Sequence, residues 1–575
     1  MDLETTGFDP DADRIVEIGA ARLVRGPSGD LSVSDRFVTF VDPGRALGPA
    51  VARLTGIRPE DLLRAPALPE AMRGLSDFLA GDATLLGHNV GFDAAFLERA
   101  GLTAGLARLD TAELASIVLP TASSYALQRL AADEAILPEA AHRALHDALT
   151  CAGVLNALAR RARALPPLVL EECRQQASLL GPAYVEFFEQ ALLGSWGAGG
   201  GTPIKGGESA TAAPAAAGDA ASGDRARRGV EGPRPHDVTG RAVVAGRPTP
   251  ERAATEPRQD PRSLGAAADA FAALADTLPG YEDRPEQREM AEAVERTFEE
   301  GGVLVAEAGT GIGKSLAYLV PALERARRGE RTIVSTYTLP LQEQLVRKDF
   351  PALQAALGTD VPVAILKGRS HYLCPRRWQV FRSAAATRDE VRLALKTLVW
   401  RTTTQTGDRA ELNLMGGESA LWPRISADDE SCDGARCSRV AGGCYLQRAR
   451  ERASNAGVVV VNHALLLYDA RMRSSLLPAA EHAVVDEAHH IEDVAADVFG
   501  YRLEEQRVWR DLDRVARSPL VIAALRDDRV ELAEAVRAEV ERCWAAADET
   551  FGLLAAVLPT GASDEKLRVT SALRA

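Results

Sequence analysis

Between Trp196 and Phe271 the chain carries no aromatic residue, and the stretch is built mainly from Ala, Gly, Pro, Arg, Thr and acidic residues. Such a segment cannot bury enough apolar surface to offset the conformational entropy lost on ordering. Residues 197–264 are therefore predicted to be a disordered linker, with separately folded bodies on either side. A flexible coil of about 70 residues spans on the order of 45–50 Å root-mean-square, enough for two halves to act on one substrate without fixed mutual geometry. The 575 residues also exceed the roughly 250–300 at which single cores stop growing, so two or three domains are required. The sequence has no internal repeat.

The apolar fraction of 46% and charged fraction of 26% are those of ordinary globular protein. No apolar run approaches the ~20 residues that cross a bilayer. The start has no basic region followed by an apolar one and no organellar pattern. A cytoplasmic protein with no membrane partner is expected. A net charge of −14 excludes a chain-wide basic surface, so nucleic acid would be held by local patches or through metal ions. Of the seven cysteines, Cys151, Cys173 and Cys543 stand alone, whereas Cys374, Cys432, Cys437 and Cys444 fall in one region. In a reducing cytosol that grouping suggests metal binding rather than disulfides.

In the first half, Asp2-Leu3-Glu4-Thr5-Thr6-Gly7 followed by Ile15-Val16-Glu17-Ile18-Gly19-Ala20 reads as a strand, a turn and a second strand. Residues two apart on a strand point to the same side, so Asp2 and Glu4 project together and could share divalent ions. Leu86-Gly87-His88-Asn89-Val90-Gly91-Phe92-Asp93 reads as a small-residue loop entering a helix that bears Asp93, with Phe96 and Leu97 as core contacts. His142-Arg143-Ala144-Leu145-His146-Asp147-Ala148 places a second helix with an H-x4-D spacing. In these three motifs and their order, residues 1–165 resemble the DnaQ-like 3′→5′ exonucleases in their His-containing version. The resemblance implies a ribonuclease H-like α/β fold with Asp2, Glu4, Asp93 and Asp147 as ligands of two Mg²⁺ or Mn²⁺ ions and His142 as general base. His146 has the wrong spacing for that role, and His88 is read as structural or substrate-positioning. Oxygen ligands suit such ions, which in a pair clamp the scissile phosphate and lower the pKa of a bound water. A neutral imidazole accepts that water's proton at cellular pH. The family has a few apolar residues before its first aspartate and here only Met1 precedes Asp2, so a clipped first strand is expected: either the true start lies upstream, or the first carboxylate sits on a frayed terminus. Residues 166–196 are read as a helical extension.

In the second half, Arg284-Pro285-Glu286-Gln287 opens an amphipathic helix, and the apolar run Val303-Leu304-Val305-Ala306 leads into Ala308-Gly309-Thr310-Gly311-Ile312-Gly313-Lys314-Ser315. This fits a nucleotide-binding loop in strand-to-helix context: backbone amides surround the phosphates, Lys314 reaches the outer ones, and Ser315 ligates Mg²⁺. Ala483-Val484-Val485 reads as a buried-type strand ending in Asp486-Glu487-Ala488-His489. There Asp486 holds Mg²⁺, Glu487 orients or activates water, and His489 couples the ATP site to the rest of the motor. Loop and box define an α/β RecA-like P-loop ATPase lobe over 265–490. Thr336, Thr338 and Gln342 fit, by resemblance to superfamily 2 helicases, a segment that contacts the backbone of single-stranded DNA.

An insert at about 367–450 contains Cys374 and then Cys432-x4-Cys437-x6-Cys444. Four thiolates suit Zn²⁺ or a [4Fe–4S] cluster, and spacing alone leaves this open. The loop, the four cysteines before a DEAH box, and Val461-Asn462-His463 resemble the DinG and XPD family of iron–sulfur helicases. The resemblance implies a [4Fe–4S] cluster, ATP with Mg²⁺, 5′→3′ translocation on single-stranded DNA, and Gln287 as an adenine contact. A DinG-like helicase fused to an exonuclease is a known bacterial arrangement. Lys367, Arg369, Arg376, Arg377 and Arg382 interleave with Tyr372, Trp378 and Phe381. That pattern suits single-strand stacking, or equally a solvated basic face over core aromatics. Residues 491–575 have helical periodicity and fit the family's helical arch insert. Nothing resembles a second RecA-like lobe, so a fragment of a longer protein is expected. The function implied is a DNA repair or replication enzyme acting on single-stranded DNA or DNA with 3′ ends. The alternatives are an ATP-independent exonuclease whose helicase-like half only grips single strands, and a non-catalytic DNA-binding or redox-sensing module. Protein partners are not readable.

Overall fold

The computed structural model describes residues 1–26, 30–79, 84–102, 106–136, 143–193, 267–277, 281–309, 313–428, 432, 437, 443–472, 476–500, 505–516, 518, 521 and 529–557. The expected linker, 197–264, lies outside the described residues. The chain forms two compact units, Met1–Ser263 with Pro375–Ile425, and Leu264–Cys374 with Ser426–Ala575. The linear division at the linker does not anticipate this, because the stretch between the first and second grouped cysteines packs with the amino-terminal half.

In the first unit, β1 (Asp2–Thr5), β2 (Ile15–Arg25) and β3 (Leu31–Phe40) form an antiparallel sheet, and β4 (Leu85–Gly87) pairs in parallel with β5 (Arg108–Asp110). The β2 run is buried continuously from Ile15 to Ala20 and then alternates, as expected for a strand covered on both faces at one end and on one face at the other. Helix α1 (Val90–Arg99) follows β4, α2 (Thr111–Val118) follows β5, and α3 (Ala144–Arg163) packs on β2. The helices α4 (Pro167–Gln176) and α5 (Pro182–Leu192) follow α3. Met1, Leu3, Ile15, Ile18, Phe96 and Leu97 share one core. The frayed start expected for β1 is not found: Met1 is buried, and every residue from Asp2 to Thr5 pairs with β2.

The 375–425 segment of this unit contains the helices Pro375–Ser383 and Arg388–Trp400. Trp378, Trp400 and Trp422 are buried in it, and Trp378 Nε1 donates to Thr397 Oγ1 at 2.6 Å. The guanidiniums of Arg382 and Arg401 lie over the Trp378 ring, and that of Arg424 over Phe381. A stacking surface for single strands is thus corrected to a packed core: Trp378 and Phe381 here, and Tyr372 in the second unit, are at most 4% exposed.

The second unit is built on a parallel sheet in the order β7 (Val363–Ile365), β8 (Val458–Asn462), β6 (Thr332–Thr336), β9 (His482–Val485). The central β6 and β8 are almost wholly buried, with helices α6 (Pro285–Glu300) and α7 (Lys314–Arg327) contributing to the core against them. Two expectations are corrected. The run Val303–Ala306 forms no strand; Val303 and Val305 are each 90% exposed, after Gly301 and Gly302 with φ of 77° and 109° turn the chain away. Since no described strand covers its outer edge, β9 is only half-buried rather than a buried-type strand. Residues 491–575 supply the helices Ile491–Phe499, Glu505–Ala516 and Val530–Val557. No described helix is long and apolar enough to cross a membrane.

Candidate active site

The register of β1 on β2 places Asp2 opposite Gly19 and Glu4 opposite Glu17, and directly opposed residues of an antiparallel pair face the same side. That side receives the amino-terminal turn of α3. Gly19 is indispensable there, because a Cβ on it would lie 2.1 Å from Leu145 N and 2.2 Å from the Ala144 carbonyl carbon. The opening of α3 has no side-chain cap of its own. Buried Glu17 replaces one: its Oε2 accepts from Ala144 N at 3.2 Å and its Oε1 from Arg143 at 2.8 Å. A carboxylate at a helix amino terminus also favours the dipole.

Asp147, one turn into α3, is thereby brought to β1. Carboxylate oxygens of Asp2, Glu4 and Asp147 lie within 4.8 Å of one another, and among the described residues this is the group of three or more acidic, His or Cys side chains that close. Gln128 Nε2 donates to Asp147 Oδ1 at 2.9 Å and fixes its rotamer. Asp93, on α1, is 3% exposed, and its Oδ1 accepts from Leu3 N at 2.9 Å. It is thus tied to β1 beside the trio rather than inside it. His142 lies outside the described residues. His88 Nδ1 sits 2.9 Å from Thr111 Oγ1, and burial holds its imidazole below the ordinary value.

The electrostatics follow from burying like charges together. Burial pushes Asp2 well up, reinforced by Asp93, Glu4 and Asp147. Burial, then Asp147 and Glu17, push Glu4 to about 7. Burial chiefly pushes Asp93 to about 7 as well. A divalent cation would relieve this repulsion, and the all-oxygen donor set suits Mg²⁺ or Mn²⁺.

In the second unit, Gly313 enters α7 with φ 85°. Lys314 Nζ lies 3.3 Å from Glu487 Oε1, and His489 Nδ1 lies 3.5 Å from Glu487 Oε2. Tyr318, one turn after Ser315, donates from its hydroxyl to Asp486 Oδ2 at 3.0 Å. The loop and the box are therefore brought together, with Ala308, Gly309, Gly313 and Ser315 described and Thr310, Gly311 and Ile312 outside the described residues. Gln287, expected as an adenine contact, lies against this loop. It is 2% exposed, donates from Nε2 to Gly313 O at 2.8 Å and accepts from Tyr281 OH at 2.9 Å, so it bears on the loop's backbone. Thr336 and Gln342 are both 0% exposed, while half-buried Thr338 caps the following turn by accepting from Leu341 N. Arg369 and Arg376 are half-buried. Sequence reasoning missed Gly19, Glu17, Arg143, Gln128 and Tyr318. Only the small residue inside an otherwise apolar strand hinted at the first.

Residues 1–155 match the exonuclease family model RNase_T, and residues 284–373 match the DEAD/DEAH box helicase model. The chain thus joins an exonuclease domain of the mixed α/β, ribonuclease H-like class to a DEAD/DEAH box helicase domain. It is homologous to the 3′-5′ exonuclease DinG of Bacillus subtilis, with 29% identity over 90% of this chain and 52% of that protein. It is also similar to the ATP-dependent DNA helicase YoaA of Haemophilus influenzae (38% identical; 43% of this chain, 39% of that one). The ATP-dependent helicase DinG of Mycobacterium tuberculosis is 39% identical over 43% of this chain and 40% of that protein. The chain therefore spans about half, or less, of these relatives. A solved structure of Exonuclease X in complex with 5′ overhanging duplex DNA matches 28% of this chain and 89% of that one at 21% identity, with a TM-score of 0.24, at which the likeness carries no argument.

Gly19→Ala forces α3 off β2, so Mn²⁺ affinity falls on the order of 10-fold and stability drops by about 1–3 kcal/mol. Calorimetric Mn²⁺ titration and thermal melting measure both; unchanged affinity contradicts the geometry. The raised carboxylates also predict a pH dependence. Their folded-state values exceed the unfolded ones, so in the metal-free chain their contribution to stability is complete below the ordinary carboxylate values and lost as pH rises to about 7. Mn²⁺ displaces those protons, so the rise in Tm that it produces grows across this window and flattens above it. A rise independent of pH contradicts the assignment.

Proposed function

We propose that this chain is a metal-dependent 3′→5′ exonuclease joined to the ATP-binding lobe of a 5′→3′ DinG-type DNA helicase, acting on single-stranded or 3′-ended DNA in repair or replication. The observation that carries it is the convergence of Asp2, Glu4 and Asp147 from a strand and a helix far apart in sequence, with Asp93 alongside. These residues would hold two Mg²⁺ or Mn²⁺ ions, which when bound supply a nucleophilic water and stabilise the leaving 3′ oxygen. The chain's own part is to keep the four carboxylates on one face, orient Asp147 through Gln128, and take the water's proton on His142. On the helicase side, Lys314, now 3.3 Å from Glu487, would turn to the outer phosphates. Asp486 and Ser315, both beside Tyr318, would hold Mg²⁺.

The four grouped cysteines are read as ligands of a [4Fe–4S] cluster. Supporting this, all are free thiols, and the thiol of Cys432 is pushed up by burial and then by Cys444, Cys437 and Cys374. The cytoplasm, which keeps thiols reduced, is the compartment this reading requires.

The test is gel-resolved digestion of 5′-labelled single-stranded DNA with Mn²⁺ or EDTA. Wild type yields a metal-dependent ladder shortening from the 3′ end, and Asp147→Asn and His142→Ala lose it; a ladder that persists in Asp147→Asn overturns the reading. For the cluster, anaerobically purified chain is expected to carry about four irons with broad visible absorbance, both lost in Cys437→Ser. One zinc and no iron would contradict it.

A further inference from the structure

Helix α2 is buried on every side, from Thr111 to Val118, including Glu113 and Ser116. A helix with no exposed face is covered from two directions. On one side lies α3; on the other lies the helix Arg388–Trp400, from the stretch between the first two grouped cysteines.

The polar centre of this contact is Glu113. Arg388 Nε donates to Glu113 Oε1 at 2.9 Å, a second guanidinium nitrogen donates to Oε2, and Arg392 lies 3.4 Å from Oε1. Arg388 also donates to Leu180 O at 2.9 Å and lies over the Tyr184 ring of α5. Beside it, buried Glu418 pairs with Arg392 at 2.7 Å and Lys396 at 2.5 Å. Asn413 crosses to the chain after α2, donating from its backbone N to Pro120 O at 3.2 Å and from Nδ2 to Ala122 O at 3.1 Å. Removing one partner of such a buried set leaves an uncompensated charge.

From Glu113, hydrogen bonds through Tyr184 and Asp110 reach the opening amides of α1, the helix that bears Asp93. Tyr184 OH donates to Glu113 Oε2 at 2.5 Å and accepts from Asp110 N at 3.2 Å. The Asp110 carboxylate accepts from Asn89 N and Val90 N, each at 3.1 Å. Those amides open α1, at a residue held in left-handed conformation with φ 59°, and Asp93 follows one turn on.

We propose that Pro375–Ile425 is a positioning element of the exonuclease: docked on α2 and α5 through Arg388 and Glu113, it fixes the turn that presents Asp93 to the metal site. The helicase half of the sequence thereby supplies part of the nuclease's supporting shell, and 3′-end cleavage depends on a segment more than 200 residues beyond the nuclease domain. The effect on cleavage rests on the nuclease reading above; the docking does not.

The test uses the full chain with Arg388→Ala, Arg388→Lys and Tyr184→Phe, the last removing one hydroxyl at nearly constant volume. Hydrogen exchange at the first turn of α1 and the Mn²⁺ concentration for half-maximal cleavage are read together. Arg388→Ala and Tyr184→Phe are expected to raise both on the order of 10-fold, the loss typical of partners that orient a metal ligand. Arg388→Lys restores part of each, and exchange in α7 of the ATP lobe does not change. Faster exchange at α1 in a chain that cleaves nothing supports the docking while removing the nuclease reading. Unchanged exchange and unchanged Mn²⁺ dependence in Tyr184→Phe and Arg388→Ala overturn the proposal.

Discussion

The pairing of β1 with β2 is the constraint on which the nuclease site depends. One register sets Asp2 against Gly19 and Glu4 against Glu17, and those four positions do different work on one face. Two carry the charge, one supplies the space that admits α3, and one anchors that helix by its first amide. A slip of β1 by one residue would turn Asp2 and Glu4 to the side opposite Gly19 and Glu17. The resulting crowd of carboxylates is unfavourable by itself, as the upward displacement of Asp2, Glu4 and Asp93 records. The fold tolerates it because the surrounding core, from Met1 to Leu97, is continuous and apolar. Local strain of this kind is characteristic of sites that bind something.

How much of this was legible in the sequence depended on the range of the interaction. Asp2-x-Glu4 was readable because strand periodicity is local, and the helix carrying Asp93 because its core contacts recur at helical spacing. The supporting roles of Glu17, Gly19 and Gln128 were not, since they arise only from register and from contacts more than a hundred residues apart, or across a helix pair. Basic residues interleaved with Tyr372, Trp378 and Phe381 suggested a stacking surface, yet local sequence does not say which side of an aromatic ring is covered. The arginines lie over rings that are already buried. Likewise, the composition of 197–264 pointed to two bodies but could not reveal that 375–425 joins the first of them.

The nucleotide loop illustrates the same limit. Its motif named Lys314 and Ser315, and the structure sets Lys314 against Glu487 and Tyr318 against Asp486, so side chains hold loop and box together. Gln287, assigned to a base by resemblance, also holds the loop's backbone at Gly313, where a side chain would collide with it. The half-buried β9 and the exposed Val303–Ala306 run reflect one fact, that the outer edge of the sheet has no partner among the described strands.

The central claim is that the carboxylates on β1, α1 and α3 form a site for a pair of divalent ions. Electron paramagnetic resonance of Mn²⁺ added to nucleotide-free chain tests it most directly. The account predicts two bound ions with the spectrum of a closely coupled pair, about 3.5–4 Å apart, and its collapse to weak, uncoupled binding in Asp2→Asn. A single isolated Mn²⁺ signal that is unaffected by that substitution would contradict the account.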